Sequence, residues 1–140
     1  MALDTTLIII IITVLVSLGG FNSDKVMNDL IFYPPAISKQ NQWYRFVTSG
    51  FLHSDYTHLF FNMLTLYFFG RGMESFYNLY MGKLGFLIFY IAGIIVSSIP
   101  TFIKHRNDYH YRSLGASGGV SAVVFAYILF APWDWFTFPP

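Results

Sequence analysis

The chain has 140 residues, of which 55% are hydrophobic and 11% charged, with a formal net charge of +1 and no cysteine. Soluble domains usually carry about 25% charged residues, so this composition points to an integral membrane protein. The near-neutral balance gives no sign of nucleic acid as a partner, and the absence of cysteine excludes disulfides and thiolate metal sites.

Residues 5–23 carry no charge and contain an unbroken run from Leu7 to Ile12. The stretch is long enough to cross a hydrocarbon core of about 30 Å. The start holds only Asp4 and no basic cluster, so the stretch reads as a retained first span rather than a signal peptide. Residues 22–57 form a long connection with Pro34 and Pro35 at its middle. Two apolar runs, 30–33 and 43–47, want burial, and a connection of this length is usually functional. One reading lays it in the membrane interface, with Trp43 and Tyr44 as anchors and Arg45 reaching headgroups or backbone carbonyls. The other is a solvated loop with incidental aromatics.

The second span is expected over 58–74. His58 and Asn62 are four apart on one helix face, and Thr65 extends it. Polar groups in lipid are costly and face protein or water. The pair therefore either ties helices together or donates hydrogen bonds into a site. Glu74, at the far end, is placed to cap the helix or pair with Arg71. The third span is expected over 84–103, with Gly85 and Gly93 for close packing. A short charged connection with His105, Asp108 and His110 leads to the fourth span, 115–131.

The fourth span opens on Leu114-Gly115-Ala116-Ser117-Gly118-Gly119. Three glycines in five residues each cost a helix roughly 1 kcal/mol relative to alanine, a cost that fits a place where something approaches the backbone closely. Gly115, Gly119, Ala122 and Ala126 fall on one face, a small-residue stripe for a neighbouring helix. The same segment also reads as a nucleophilic serine at a helix start, where unsatisfied N–H groups bind an oxyanion. By this count His53, His58, Asn62 and Ser117 all lie at one membrane face. The connections on that face hold Lys25, Lys39, Arg45, Lys104, Arg106 and Arg112, against Arg71 and Lys83 on the other, and the positive-inside rule assigns the richer face to the cytoplasm.

This arrangement resembles the rhomboid family of intramembrane serine proteases. Gly115-Ala116-Ser117-Gly118 matches the family's G-x-S-G, and His53 with His58 and Asn62 matches its H…H-x-x-x-N. Trp43-Tyr44-Arg45 looks like the Trp/Arg element of the first loop, and Glu74 like the acidic residue that closes the second span. The resemblance runs from about Trp43 to Phe130. It implies an all-α polytopic membrane bundle holding four of the family's six core spans, one domain over 1–140, multi-pass in a bacterial-type plasma membrane. It also implies Ser117 as nucleophile, with its own N–H and the His58 and Asn62 side chains stabilising the oxyanion. His53 would hold loop and helix together, Gly115 and Gly118 would allow turning and close packing, Trp43 and Arg45 would seat the first loop, and Glu74 would join helices. Substrates would be single-span membrane proteins cut within the lipid bilayer, with neither cofactor nor metal. The family's orientation conflicts with the charge rule.

One departure matters. The family's general base is a histidine on a later span, and the histidines here are His53, His58, His105 and His110. An unactivated serine is a weak nucleophile, and His110, on a loop, offers no fixed geometry. The apolar stretch 133–140 reads as the start of further membrane structure, so the expectation is an N-terminal portion of a longer protease, inactive alone. The rival is a non-catalytic rhomboid-like protein that binds membrane helices. A cation site from His53, Asp55 and His58 suits zinc by donor type but has no established spacing, and Thr65, Ser97 and Ser98 are too few polar groups for a transport path.

Overall fold

The computed structural model describes residues 4–130. The apolar stretch 133–140 and the last residue of the fourth expected span lie outside the described residues. Helix α1, Thr5–Asn22, is capped by Asp4, whose carboxylate accepts from the Leu7 N–H at 2.8 Å. Its buried face is Thr6, Ile9, Thr13, Ser17 and Gly20, while Leu15 is 64% exposed and Ile8, Ile11 and Ile12 also point outward. A water-soluble helix buries its isoleucines and exposes its hydroxyls. The reverse arrangement suits lipid, where apolar burial gives no gain and small or hydroxyl-bearing residues let helices approach. The hydroxyls are satisfied, Thr13 Oγ1 donating to the Ile9 carbonyl at 2.7 Å.

The long connection folds into three short helices and a 3-10 turn. They are α2, Asp24–Leu30; α3, Pro34–Gln40; α4, Arg45–Thr48; and the turn Ser49–Phe51. Pro34 starts α3, where its missing N–H costs nothing, and Asn41 ends it in the left-handed region, φ 56°. Arg45 is buried and settles which partner it takes. Its Nη1 donates to the carbonyls of Asn28 (2.9 Å) and Ile31 (2.7 Å), and its Nε to Gln42 Oε1 (2.8 Å). Thr48 Oγ1 donates to the Leu30 carbonyl at 2.9 Å. These carbonyls are the ones that the end of α2 leaves without helical partners. Trp43 and Tyr44 are exposed, and Trp43 lies against Phe46 and Phe102. A small core of Phe32, Ile37 and Phe46 seats this segment on Ile95 and Phe102 of the third long helix.

That third helix is α6, Gly85–His105; the second is α5, Tyr56–Met81, and the last is α7, Ala116–Phe130. Helix α5 runs past the expected end at Glu74. Gly70 and Gly72 do not stop it because they serve packing: an added Cβ would stand 3.0 Å from Thr6 Cγ2 and 3.1 Å from Tyr127 Cε2, respectively. The stop is Gly82, φ 89°, whose N–H reaches the Asn78 carbonyl. Glu74 thus sits inside α5. It neither caps α5 nor pairs with Arg71. Its Oε1 accepts from the Thr6 N–H (2.6 Å) and Thr6 Oγ1 (3.0 Å), which anchors the N-terminus of α1 to α5. Arg71 turns to Asp4 at 3.2 Å.

Helix α7 packs against both α5 and α6. Gly119 faces Tyr90 and Ile94, and Ala122 meets Gly93. The small-residue stripe read from the sequence therefore does bring helices together, around the buried Tyr90, Ile94 and Val123. Helices α1 and α6 are long and apolar enough to cross a membrane, and α7 contributes a shorter apolar helix, Ser117–Phe130. Among the described residues the fold is a helical bundle, with one isolated antiparallel bridge, Phe32 to Ser113, tying the first connection to the start of α7.

Candidate functional site

Ser117 is the second residue of α7. With no carbonyl four residues back inside the helix, its N–H and those beside it lie at the positive end of the helix dipole. The helix start is held in place from below: the Gly115 N–H donates to the Ser49 carbonyl at 3.1 Å, and the Gly118 N–H to the Gly115 carbonyl at 3.2 Å. Gly118 is needed at close quarters, and Gly115 sits tightly against its neighbours. A Cβ at Gly115 would stand 3.3 Å from Ser49 Oγ, and one at Gly118 would stand 2.0 Å from Ser97 Oγ and 2.8 Å from its Cβ.

The Ser117 side chain is exposed and lies between two cavities. One, of about 140 Å³, is shared with His53, Ser54, His58 and Asn62. The other, of about 200 Å³, is walled by hydroxyls of Ser97, Ser98, Thr101, Tyr111 and Ser113. The loop and helix start that carry His53, Ser54, His58 and Asn62 therefore meet the start of α7 at one cavity.

His53 is almost fully buried, and both ring nitrogens are engaged. Nδ1 is 3.0 Å from Ser17 Oγ, and Nε2 is 2.9 Å from Asn62 Nδ2. Ser17 gives its own proton to the Phe51 carbonyl at 2.8 Å. The network closes with the Nδ1–H tautomer: Nδ1–H donates to Ser17 and Nε2 accepts from Asn62. Burial, reinforced by His58 and opposed by Asp55, lowers the His53 pKa to about 4, so the ring stays neutral and the lock between α1, α5 and their connection holds. Asn62 keeps one N–H for His53 and has a second for the cavity.

His58 is differently placed. Asp55 caps α5 by accepting from the His58 N–H at 2.8 Å, and its other oxygen lies 2.9 Å from His58 Nδ1. The same bonds hold the Asp55 pKa below the ordinary carboxylate value. With Nδ1–H directed at a carboxylate, neutral His58 has its lone pair on Nε2. It donates from that nitrogen only as the imidazolium. No three metal-ligating side chains converge among the described residues, and His53, with both nitrogens committed, does not complete a cation site with Asp55 and His58. His110 is exposed in the α6–α7 connection, its N–H on Asp108 at 3.1 Å. Sequence reasoning missed Ser17. Its signal was the spacing of Thr6, Thr13, Ser17 and Gly20 along one side of an isoleucine-rich helix.

A helical bundle with apolar faces outward, and a glycine-flanked serine sharing a polar cavity with histidine and asparagine, defines a membrane protein of rhomboid type. The rhomboid-domain family model matches residues 40–139. The chain belongs to the rhomboid family and is an integral membrane protein. It is similar to the rhomboid protein YdcA of Bacillus subtilis, 32% identical over 90 residues, covering 64% of this chain and 43% of that one. It is similar to the rhomboid protease GluP of the same bacterium, 37% identical over 81 residues, 58% of this chain and 14% of that one. It also resembles the chloroplastic rhomboid-like protein 11 of Arabidopsis thaliana, 33% identical over 95 residues, 66% and 31% of the two chains. The chain thus spans less than half the length of each of these relatives.

Proposed function

We propose that the chain carries the nucleophile of an intramembrane serine endopeptidase that cuts transmembrane-helix substrates. The observation that carries this reading is the cavity shared by Ser117, His58 and Asn62. Ser117 Oγ attacks the scissile carbonyl carbon, and the carbonyl oxygen becomes an oxyanion. The Ser117 N–H and the second Asn62 N–H receive it, joined by His58 when its ring is protonated. Preorganised donors of this kind are worth about 3 kcal/mol each. His53 is a positioning residue, fixing Asn62. The hydroxyl-walled cavity beyond Ser117 is a reservoir for the water that releases the acyl group. Substrates are single-span membrane proteins with helix-breaking residues near the cut, since a helical peptide bond is shielded from attack. The membrane is of the bacterial plasma-membrane type.

The attack requires a base. Ser117 Oγ has no hydrogen-bond partner among the described residues, and neither His53 nor the loop histidines are set against it. The family's base is a histidine on a later span, and on this reading the 140 residues by themselves are hydrolytically silent. The same observation supports a second reading, a non-catalytic protein that binds membrane helices in this groove. Proteoliposome cleavage of a single-span substrate separates the two. Supplying the chain with a downstream histidine-bearing span from a rhomboid protease should produce cleavage that Ser117→Ala abolishes. Binding of the substrate helix without cleavage in that preparation would favour the second reading. Ser117-dependent turnover by the chain alone would overturn the assignment of the base.

A further inference from the structure

The α6–α7 connection and α3 build a cationic surface that the catalytic reading leaves unused. Lys39, Lys104, Arg106 and Arg112 are all exposed. The contacts between these elements make one surface of them: Ser38 Oγ donates to the Arg106 carbonyl at 3.4 Å, and Tyr33 Oη to the Tyr109 carbonyl at 3.0 Å. Lys39 Nζ lies 4.5 Å from the Tyr109 ring centre and bonds its hydroxyl, and the Arg112 guanidinium lies 4.7 Å from the Tyr33 ring centre and bonds Asn28 Oδ1. Their partners are therefore neutral. The nearby carboxylate, Asp108, is turned to His105 Nδ1 and the His110 N–H. Among the described residues none of the four cations forms an ion pair.

The position of this surface identifies what neutralises it. Val96 (62% exposed), Ile99 (41%) and Ile103 (62%) form an apolar strip along α6, and Lys104 follows Ile103 directly. At a rise of about 1.5 Å per residue, the charges begin within one turn of the last lipid-facing isoleucine, at headgroup depth. Tyrosine at the same level is the side chain that favours this interface. We propose that Lys39, Arg106 and Arg112, with Lys104 at the rim, bind the phosphodiester groups of anionic phospholipids and set the tilt and depth of the α6–α7 end of the bundle. The cations are spread over α3, the end of α6 and the α6–α7 connection, and Lys39 and Arg112 are held apart on separate rings, which suits several headgroups better than one small phosphate ion. A chain of net charge +1 does not suit nucleic acid.

The test uses the full chain in neutral maltoside micelles, titrated with phosphatidylglycerol or phosphatidylcholine of the same acyl composition and read by native mass spectrometry of retained lipid. Phosphatidylglycerol is expected to be retained in preference. Each cation near an anionic surface is worth about fivefold in affinity, so Lys39→Gln/Arg106→Gln/Arg112→Gln should lose roughly 100-fold of that preference. Lys83→Gln, at the other end of the bundle, should lose none. Should the triple variant fail to fold, Arg106→Gln alone, which removes a side chain with no partner among the described residues, should cost about fivefold. Equal retention of the two lipids by the native chain, or a preference untouched by Arg106→Gln, would overturn the proposal. So would displacement of phosphatidylglycerol by inorganic phosphate at equal concentration, which would make the surface a general anion site.

Discussion

Acidification should loosen the site through His53, by an amount that the burial of its ring sets. The unfolded ring titrates near its ordinary value of about 6.5, and the folded ring at about 4. Above both values the two states are neutral and His53 adds no pH dependence. Between them the unfolded chain binds a proton that the folded chain refuses, so stability falls as pH drops from about 6.5 to about 4 and then levels off. A separation of about 2.5 units at about 1.4 kcal/mol each makes the full loss roughly 3 kcal/mol. The first cause is burial of the ring, and a proton on Nε2 would also oblige the Asn62 amide, whose Nδ2 now lies 2.9 Å away, to turn its oxygen toward the ring. Nitrogen-15 spectra of histidine-labelled chain in micelles should find the His53 ring in the Nδ1–H neutral form at pH 5. Thermal unfolding should lose less on acidification in His53→Gln than in the native chain. A His53 ring protonated at pH 6, or a His53→Gln variant with an unchanged pH slope, would refute the reasoning.

Other substitutions have equally definite outcomes. Glu74→Ala removes the acceptor for the Thr6 N–H and hydroxyl and should cost roughly 2 kcal/mol, read as a lower midpoint of thermal unfolding, while Glu74→Gln, which keeps an acceptor oxygen, should recover about half. Arg45→Lys cannot make the fork to Asn28, Ile31 and Gln42 and should cost about 2 kcal/mol, with faster proteolysis in the connection 23–55. Gly119→Ala gains up to about 1 kcal/mol of helix propensity. It also sets a Cβ 2.9 Å from both Ile94 Cγ1 and Tyr90 Cε2, an overpacking cost of about 1–3 kcal/mol, so net destabilisation is expected in chemical unfolding. Trimming Ile94 to Val should not relieve it, because Tyr90 stays in place.

Much of the fold was legible because the bilayer restricts the alternatives. Runs 5–23 and 84–103 became α1 and α6, and the small residues of 115–126 pack against neighbouring helices. The end of α5 was misjudged because Gly70 and Gly72 look the same in sequence whether they stop a helix or admit a neighbour; only Thr6 and Tyr127, far along the chain, decide. The partner of Glu74 was hidden for the same reason. At the site, the count of spans placed His53, His58, Asn62 and Ser117 at one membrane face, and in the structure they line one cavity. The count did not reveal that His53 and His58 differ in tautomer demand. That difference depends on Ser17 from α1 and on Asp55, which caps α5 and orients His58 with one carboxylate.

The chain has no cysteine, so paired cysteines give an uncluttered reading of whether Ser117 faces a watery pocket beside His58 or the lipid. Ser117→Cys with His58→Cys should join under a short bis-thiosulfonate reagent in intact membranes, and the Ser117→Cys thiol should react with a water-soluble maleimide. Failure to join, together with labelling of that thiol only by a lipid-soluble maleimide, would put the serine on the outer surface of α7 and contradict its role as a nucleophile.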